Sequence, residues 1–395
     1  VYKTIIIDVK CNKEDAEYLC NLNIESAKVW NRCVEIDREW FGRTGKYIKP
    51  TELQTALLGF SFLPRSSVYH VYRKYLAARN AMFRSIKIKH EASQAARLPY
   101  KNKKYFNTGW DVGIIKIDYD KRVVKLSRRS YVDESGKRCC RTPVVCHAKS
   151  IPQNIVEIEL LYRGGLKLAI KYKEPDIEHL IPSGDSAAID LGEIHSITAI
   201  DNGGHAIIIT GRKLRSIKRF RDKEVAKVRS LMSRCEKGSR RYRKLSKAIY
   251  KLCQKADSQI KDAVHKTTKL FLDYCILHNI ATVYYGDLDG ATRNTKGKIN
   301  SHVGQKLNEW CYGRIVQQLR NKLGRYGIEL VKVSEAYSSQ TCPVCGERNK
   351  PTNRNYSCSC GYEQHRDIVG AMNILNMNTG TELSRYSGKM YLRIA

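Results

Sequence analysis

The apolar positions of this chain change period repeatedly along its length. Residues 2–10 alternate and then run apolar, as a strand does. Residues 13–40 carry a helical stripe through Ala16, Leu19, Leu22, Ala27, Val29, Val34 and Trp40. Residues 51–60 suggest a short helix. Ser66 or Ser67 caps a longer helix to about Lys89, with Val68, Val71, Tyr75, Ala78 and Met82 on one face and His70, Arg73, Lys74, Arg79, Arg84 and Lys87 on the other. From Pro99 to Lys173 the period becomes two. One hairpin turns at Tyr119-Asp120-Lys121 and another at Gly164-Gly165. The pattern predicts a barrel made from residues 1–11 and 95–175, with a helical domain, 12–94, inserted into it. Residues 174–185 read as a linker.

A second pattern follows. Residues 187–192 (AAIDLG) and 196–200 are strands, 201–204 a turn, and HAIIIT a third strand. Val225, Val228, Met232, Leu245, Ile249 and Leu252 give residues 212–256 the apolar face of a helical hairpin. A helix to Asn279 precedes the strand ATVYYGDLDG, and a helix at about 304–326 precedes the strand GIELVKVSEAY. The tail from Thr379 shows no clear pattern. Three hairpin-type strands, then helix, strand, helix, strand and helix, is the order of an RNase H-like fold. The chain is therefore expected to be a multidomain α+β protein. Its second domain covers 176–337 and 365–380, interrupted at 338–364, with 381–395 as a C-terminal tail.

Charge adds a partner class. The chain holds 71 Lys and Arg against 39 Asp and Glu, a net charge of +32, and such a field implies a polyanion. Residues 212–256 alone hold 18 Lys or Arg and three acids, more than a merely solvated face needs. No run of eighteen apolar residues exists, so a membrane span is not expected. The first ten residues read as a strand rather than a secretory leader, which points to a cytoplasmic protein.

Fourteen cysteines are present. Ten are scattered, as reduced thiols of the cytosol are, among them Cys20, Cys235, Cys253 and Cys275. Cys342, Cys345, Cys358 and Cys360 differ. They form two close pairs, each followed by a glycine (Gly346, Gly361), with a polar loop between. Thiolates on tight turns can share one tetrahedral zinc ion, and four of them leave it no open position. A pair of redox thiols is the alternative.

Carboxylates complete the picture. An acid inside an apolar strand is costly unless it binds a cation, and Asp190 sits in such a strand. Asp367 opens a helix whose apolar face is Ala371, Ile374 and Leu375, where the helix dipole alone would also favour an acid. Hydrolysis of phosphodiesters by two metals needs several such acids together. Asp287, Asp289 and Glu335 end the two later strands. Either Asp287 or Glu335 is placed to complete the cluster, whereas Asp289 suits the Asp-Gly turn.

These residues resemble TnpB, the compact RNA-guided nuclease of insertion sequences, and its relatives, the miniature type V CRISPR effectors and Fanzor proteins. The carriers are IDLG at 189–192, Gly-Asp-Leu at 286–288, YSSQTCPVCG at 337–346 and CSCGYEQHRDIVGAMNIL at 358–375. The resemblance implies a split barrel with a helical recognition domain, then a RuvC nuclease domain with a zinc ribbon. It implies an RNA-guided endonuclease that reads a short flanking motif, forms a guide RNA–DNA heteroduplex and cuts with two Mg2+ ions. The partners implied are a guide RNA from the transposon end and double-stranded target DNA, bound by a monomer with one RNA. Asp190 takes the first family aspartate's place and Asp367 the last. Gly286 stands where the family usually has Glu. A subset moves that Glu to the next strand, which selects Glu335, with Asp287 second. Val369 stands where Asn is usual. His70, Arg73, Lys74 and Tyr75 are expected at the flanking motif. Arg219, Arg221, Arg240, Arg241 and Arg243 are expected along the duplex phosphates. A nuclease-inactive RNA-guided repressor, a CRISPR effector and a guide-free transposase remain alternatives.

Overall fold

The computed structural model describes residues 2–88, 102–162, 165–175, 184–287, 311–351 and 353–394. The chain divides into two compact units, Val1–Asp176 and Ile177–Ala395.

The first unit is built on β1 (Tyr2–Lys10), β2 (Thr108–Asp111), β3 (Ile115–Asp118), β4 (Val123–Leu126), β7 (Val144–Ala148), β8 (Ile155–Tyr162) and β9 (Leu166–Lys173). They form one seven-stranded sheet in the order β2-β8-β9-β1-β7-β4-β3. A small separate hairpin, β5 (Tyr131–Val132) and β6 (Arg138–Cys139), lies between β4 and β7 in sequence. The N-terminal strand sits in the middle. It pairs with β9 through Tyr2–Asp8 and passes to β7 at Val9 and Lys10. The two edge strands, β2 and β3, are joined by the single turn Val112–Ile114. The sheet therefore curls until its edges meet along the chain, a nearly closed barrel. Trp110, Val124, Leu126, Ile158, Leu160, Leu168 and Ile170 are buried in it.

Helices α1 (Lys13–Thr44), α2 (Pro50–Ala56) and α3 (Arg65–Ile88) interrupt the barrel between β1 and β2. Asn12 caps α1 by accepting from the Asp15 N–H at 2.7 Å. Gly45, at φ +68°, closes it. Helices and barrel share one hydrophobic core through Leu19, Leu22, Trp30, Val71 and Trp110. A buried polar cluster ties α1 to α3: Asp37 accepts from the Tyr75 hydroxyl at 2.5 Å and from the Arg79 guanidinium at 2.9 Å.

This packing corrects part of the expected recognition face. Tyr75 is 1% exposed and His70 2%. His70 lies against Gly109, where a Cβ would come within 2.4 Å of its ring, and between Glu157 at 2.7 Å and Glu159 at 3.1 Å. Both side chains hold α3 to its neighbours, because the stripe facing the barrel is wider than the apolar residues alone suggest. Lys74 pairs with Glu159. Arg73 stays at the surface, 2.8 Å from Asp111.

The second unit contains β10 (Asp185–Asp190), β11 (His195–Asp201), β12 (His205–Thr210), α4 (Arg212–Met232), α5 (Arg240–Leu277), β13 (Ile280–Gly286), α6 (Tyr312–Leu323), β14 (Glu329–Val333), β15 (Asn355–Ser357), β16 (Glu363–His365), α7 (Arg366–Thr379) and β17 (Gly388–Leu392). Six strands form a sheet ordered β14-β13-β10-β11-β12-β17. β10, β11 and β12 run antiparallel, while β13 and β14 run parallel to β10. α5 and α6 pack on the face carrying Ile189 and Ala199, and α7 on the face carrying Ala188 and Ile200.

Two sequence expectations change here. The second arm of the basic hairpin and the helix to Asn279 are one helix, α5, since no Gly or Pro breaks residues 240–277. The tail is not patternless: β17 pairs in parallel with β12, from His205↔Gly388 to Ile209↔Leu392. As an edge strand it leaves Met390 and Tyr391 exposed, so it lacks a clean alternation. Gly164, Asp289 and residues 304–310 lie outside the described residues.

Candidate active site

The carboxyl ends of the parallel strands β10, β13 and β14 lie side by side. Ile189 is in register with Tyr285, and Gly286 with Val333. Asp190 is the last residue of β10 and alternates with Ala188 onto the α7 face. Glu335 lies two residues beyond β14. Asp367 sits in the first turn of α7. Crevices outside the carboxyl ends of parallel strands are where open α/β sheets bind ligands.

The structure brings Asp190, Glu335 and Asp367 to one pocket of about 460 Å3, lined also by Ser338, Ser339, Arg354 and Arg366. Asp287 does not line it. Its carboxylate pairs with Lys332 at 2.8 Å in an adjoining hollow that Glu335 also lines.

Two glycines permit this approach. A Cβ on Gly286 would stand 1.9 Å from the Glu335 Oε2 and 2.7 Å from its Cβ. The space beside β13 is thus filled by the carboxylate of the next strand. A Cβ on Gly370 would stand 2.8 Å from the Asp190 Oδ2. α7 therefore crosses close over the end of β10, one turn after Asp367.

The acids are electrostatically unlike. Burial pushes the Asp190 carboxyl up to about 8, and the negative charges of Asp367 and Glu335 add to it. Burial also raises Glu335, with a contribution from Asp287. For Asp367 burial acts upward too, but the His195 hydrogen bond and the Arg354 charge outweigh it and hold the group below its usual range. The His195 Nδ1 lies 2.7 Å, and the Arg354 guanidinium 2.6 Å, from the Asp367 Oδ2. Crowded acids of this kind, one held toward its neutral form, are a donor set for hard divalent cations, whose charge would relieve the repulsion. Opposite Asp190 in the β10–β11 ladder, the buried Thr198 hydroxyl has no hydrogen-bond partner.

Residues 338–364 form a small lobe around β15 and β16. The Sγ atoms of Cys342 and Cys360 are 3.7 Å apart, those of Cys345 and Cys358 3.5 Å, and all four fall within 4.8 Å of one another. A tetrahedral ion with bonds of about 2.3 Å needs edges of about 3.8 Å, so the cluster fits one. Gly346 and Gly361, at φ +75° and +85°, turn the two knuckles. The lobe is tied to α7. Val369 packs with Cys342, Tyr356 and Tyr362, and the Asn373 amide donates to the Ser338 and Thr341 carbonyls at 2.6 and 2.7 Å. Val369 therefore serves as an apolar plug between lobe and helix. Arg354 reaches Asp367 from this lobe.

His195, Arg354, Gly370 and Asn373 escaped the sequence reading. His195 follows the Asp190 strand after one turn, which is a weak signal. Its partner Asp367 is 172 residues away.

Of the five arginines expected on phosphates, Arg219, Arg240, Arg241 and Arg243 are exposed on α4 and α5. Arg221 is half-buried and pairs with Asp222 at 2.7 Å. Among the described residues no helix is long and apolar enough to cross a membrane.

Comparison with known proteins places this architecture. Residues 169–292 match the family described as "Probable transposase" (OrfB_IS605), and residues 312–374 match the "Cas12f1-like, TNB domain". A CRISPR-associated endodeoxyribonuclease Cas12f1 of an uncultured archaeon is 28% identical over 33% of this chain and 26% of its own length. A TnpB-like protein of Methanocaldococcus jannaschii is 23% identical over 47% of this chain and 66% of that protein. The matched stretch thus spans about a quarter of the Cas12f1 relative and two thirds of the archaeal TnpB-like one. The fold is shared with a Cas12f1–sgRNA–target DNA complex at TM-score 0.64, 16% identity, and 92% and 83% coverage of the two chains. It is also shared with the mini-RNA-guided endonuclease Cas-phi3 at TM-score 0.57, 11% identity, and 98% and 93% coverage.

Proposed function

We propose that this chain, a relative of the TnpB-like proteins and the Cas12f1 nucleases, is an RNA-guided, metal-dependent DNA endonuclease. The observation that carries the reading is the convergence of Asp190, Glu335 and Asp367 on one pocket, with Gly286 vacated for Glu335. The sheet order and the helices on both faces support an RNase H-like, RuvC-type domain.

In this reading Asp190, Glu335 and Asp367 hold Mg2+. Bound there, the ions supply activation of a water and stabilisation of the leaving 3′ oxygen. His195 and Arg354 keep Asp367 ionised and oriented. Arg354 and Arg366, both lining the pocket, attract the scissile phosphate and fix its approach. A guide RNA from the transposon end supplies sequence specificity by base pairing with the target DNA, while the protein reads a short flanking motif.

Cys342, Cys345, Cys358 and Cys360 hold structural Zn2+. Structural zinc supplies on the order of 10 kcal/mol of folding free energy in small domains. Cys345→Ser is expected to remove the bound zinc, measured by elemental analysis, and to lower the melting temperature. Replacement of the exposed Cys20 by Ser changes neither. Equal zinc content in the two variants would remove the assignment.

The exposed arginines of α4 and α5 run along the phosphates of the guide–target duplex. Each phosphate contact contributes roughly 0.9 to the slope of log K against log salt. Replacing Arg240, Arg241 and Arg243 by Gln is expected to reduce that slope by roughly 2 to 3. The affinity loss is the same for every target sequence, read by filter binding. An unchanged slope places these side chains off the nucleic acid.

The deciding experiment is cleavage of a plasmid library with randomised flanks by protein co-expressed with the RNA of its own locus. Depletion of a short flanking motif is the expected result. Guided binding without cutting identifies a nuclease-inactive repressor instead.

A further inference from the structure

We propose that Asp201, His205 and His278 form a second metal site, taking a borderline first-row divalent cation such as Ni2+ or Zn2+. The three residues come from three elements. Asp201 ends β11, His205 begins β12 across a three-residue turn, and His278 is the C-terminal cap of α5.

The geometry is that of a donor set. The His205 Nδ1 lies 3.1 Å from the Asp201 Oδ1, and the His278 Nδ1 3.1 Å from the Oδ2. All three donor groups lie within 4.8 Å of one another. A tetrahedral ion with bonds of about 2.0 Å needs donors about 3.3 Å apart, so a small closure of the two imidazoles completes the three-point set. Two imidazoles and one carboxylate select borderline transition metals over Mg2+.

The surroundings orient the donors. The His205 backbone N–H donates to the Asp201 Oδ1 at 2.8 Å, fixing the carboxylate. The Tyr274 hydroxyl donates to the His205 carbonyl at 2.7 Å, and its ring packs 4.6 Å from that of His278. Access is open on one side. The Asp201 side chain is 5% exposed, His278 19% and His205 50%.

This site is separate from the carboxylate pocket. Asp190 pairs with Thr198 and Asp201 with Ala187. The two acids are thus three residues apart along the ladder, about 10 Å. They also face opposite sides of the sheet, Asp201 alternating with Ala199 on the α5 face. Of the other histidine–carboxylate clusters, His195–His365–Asp367 belongs to the pocket already described. In His70–Glu157–Glu159 the Lys74 ammonium already neutralises a carboxylate. A bound ion at Asp201 would lock the β11–β12 turn onto the end of the long basic helix.

The test is Ni2+ titration by calorimetry, with melting curves, on protein carrying one Zn2+ per chain, held by the cysteines and freed of excess zinc, in excess Mg2+ for the pocket acids. The parent and Asp190→Ala are expected to bind a single Ni2+ and to melt higher with it. His205→Ala, truncating a half-exposed side chain, and the near-isosteric Asp201→Asn are expected to bind at least ~10-fold more weakly and to show no Ni2+-dependent shift. Circular dichroism matching the parent keeps each variant interpretable. Ni2+ binding unchanged in His205→Ala, or absent in the parent, overturns the proposal and leaves a hydrogen-bonded clasp only. Neither result depends on whether the protein cuts DNA.

Discussion

Asp190→Ala and Asp190→Asn are expected to lower guided DNA cleavage by at least ~10^3-fold, equivalent to about 4 kcal/mol of barrier. Affinity for guide RNA and target should stay within about twofold of the parent, since the exposed basic helices supply it. Asp190 lines the pocket at the end of β10, between parallel β13 and antiparallel β11. The same substitution has an opposite effect on stability. The folded Asp190 carboxyl is raised from 3.8 to about 8. The folded state therefore holds a proton that the unfolded chain has lost, and stability falls as pH rises through that window. With Mg2+ omitted, Asp190→Asn should melt above the parent at pH 7. The gap should close below pH 3.8, where both states bind the proton. Cleavage by Asp190→Asn at the parent rate, or a variant that melts lower at pH 7, would contradict this account.

Glu335→Ala should be as damaging to cleavage as Asp190→Ala, whereas Asp287→Ala should retain most of the parent rate. Asp287 points to Lys332 and lies outside the pocket. Gly286 sharpens the prediction. Gly286→Ala puts a methyl 1.9 Å from the Glu335 carboxylate, so the single change should displace that carboxylate and cost activity even though it deletes no acid. Gly286→Glu combined with Glu335→Ala moves the carboxylate back one strand, into space the second change empties. Partial recovery relative to Glu335→Ala alone is expected, read as cleavage rate with guide RNA saturating. If Asp287→Ala abolishes cutting and Glu335→Ala spares it, the third acid has been misassigned.

Much of this site is legible in the chain because its parts are local. An acid in AAIDLG breaks an apolar strand wherever that strand lies. The cysteine pairs carry their own spacing, and the glycines that follow them supply the positive φ of each knuckle. Gly286 marks an absence that a resemblance alone can expose. Other parts were not legible. His70 and Arg73 sit three residues apart in one basic-looking helix, yet His70 is buried between two glutamates from β8 while Arg73 stays at the surface. The helical period gives the angle between two side chains but not the width of the face that the barrel covers. β17 was missed because an edge strand, half-exposed on both sides, has no alternation to detect.

By itself the sequence determined the basic charge of the hairpin, the strands β10 to β14 of the second sheet, the four thiols and the identities of the candidate acids. These depend on residue type and short-range periodicity, which the chain carries wherever it folds. Only the tertiary structure showed that Glu335, and not Asp287, lines one pocket with Asp190 and Asp367, that His195 and Arg354 hold Asp367, and that Val369 and Asn373 tie the cysteine lobe to α7. The tail's place beside β12 and the convergence of Asp201, His205 and His278 were settled at the same level. Each of these joins residues distant in sequence. Their contact is set by sheet register and by how closely a helix crosses a strand end, as Gly370 shows at Asp190. Periodicity along a chain records which way a side chain points, and only packing records what it meets there.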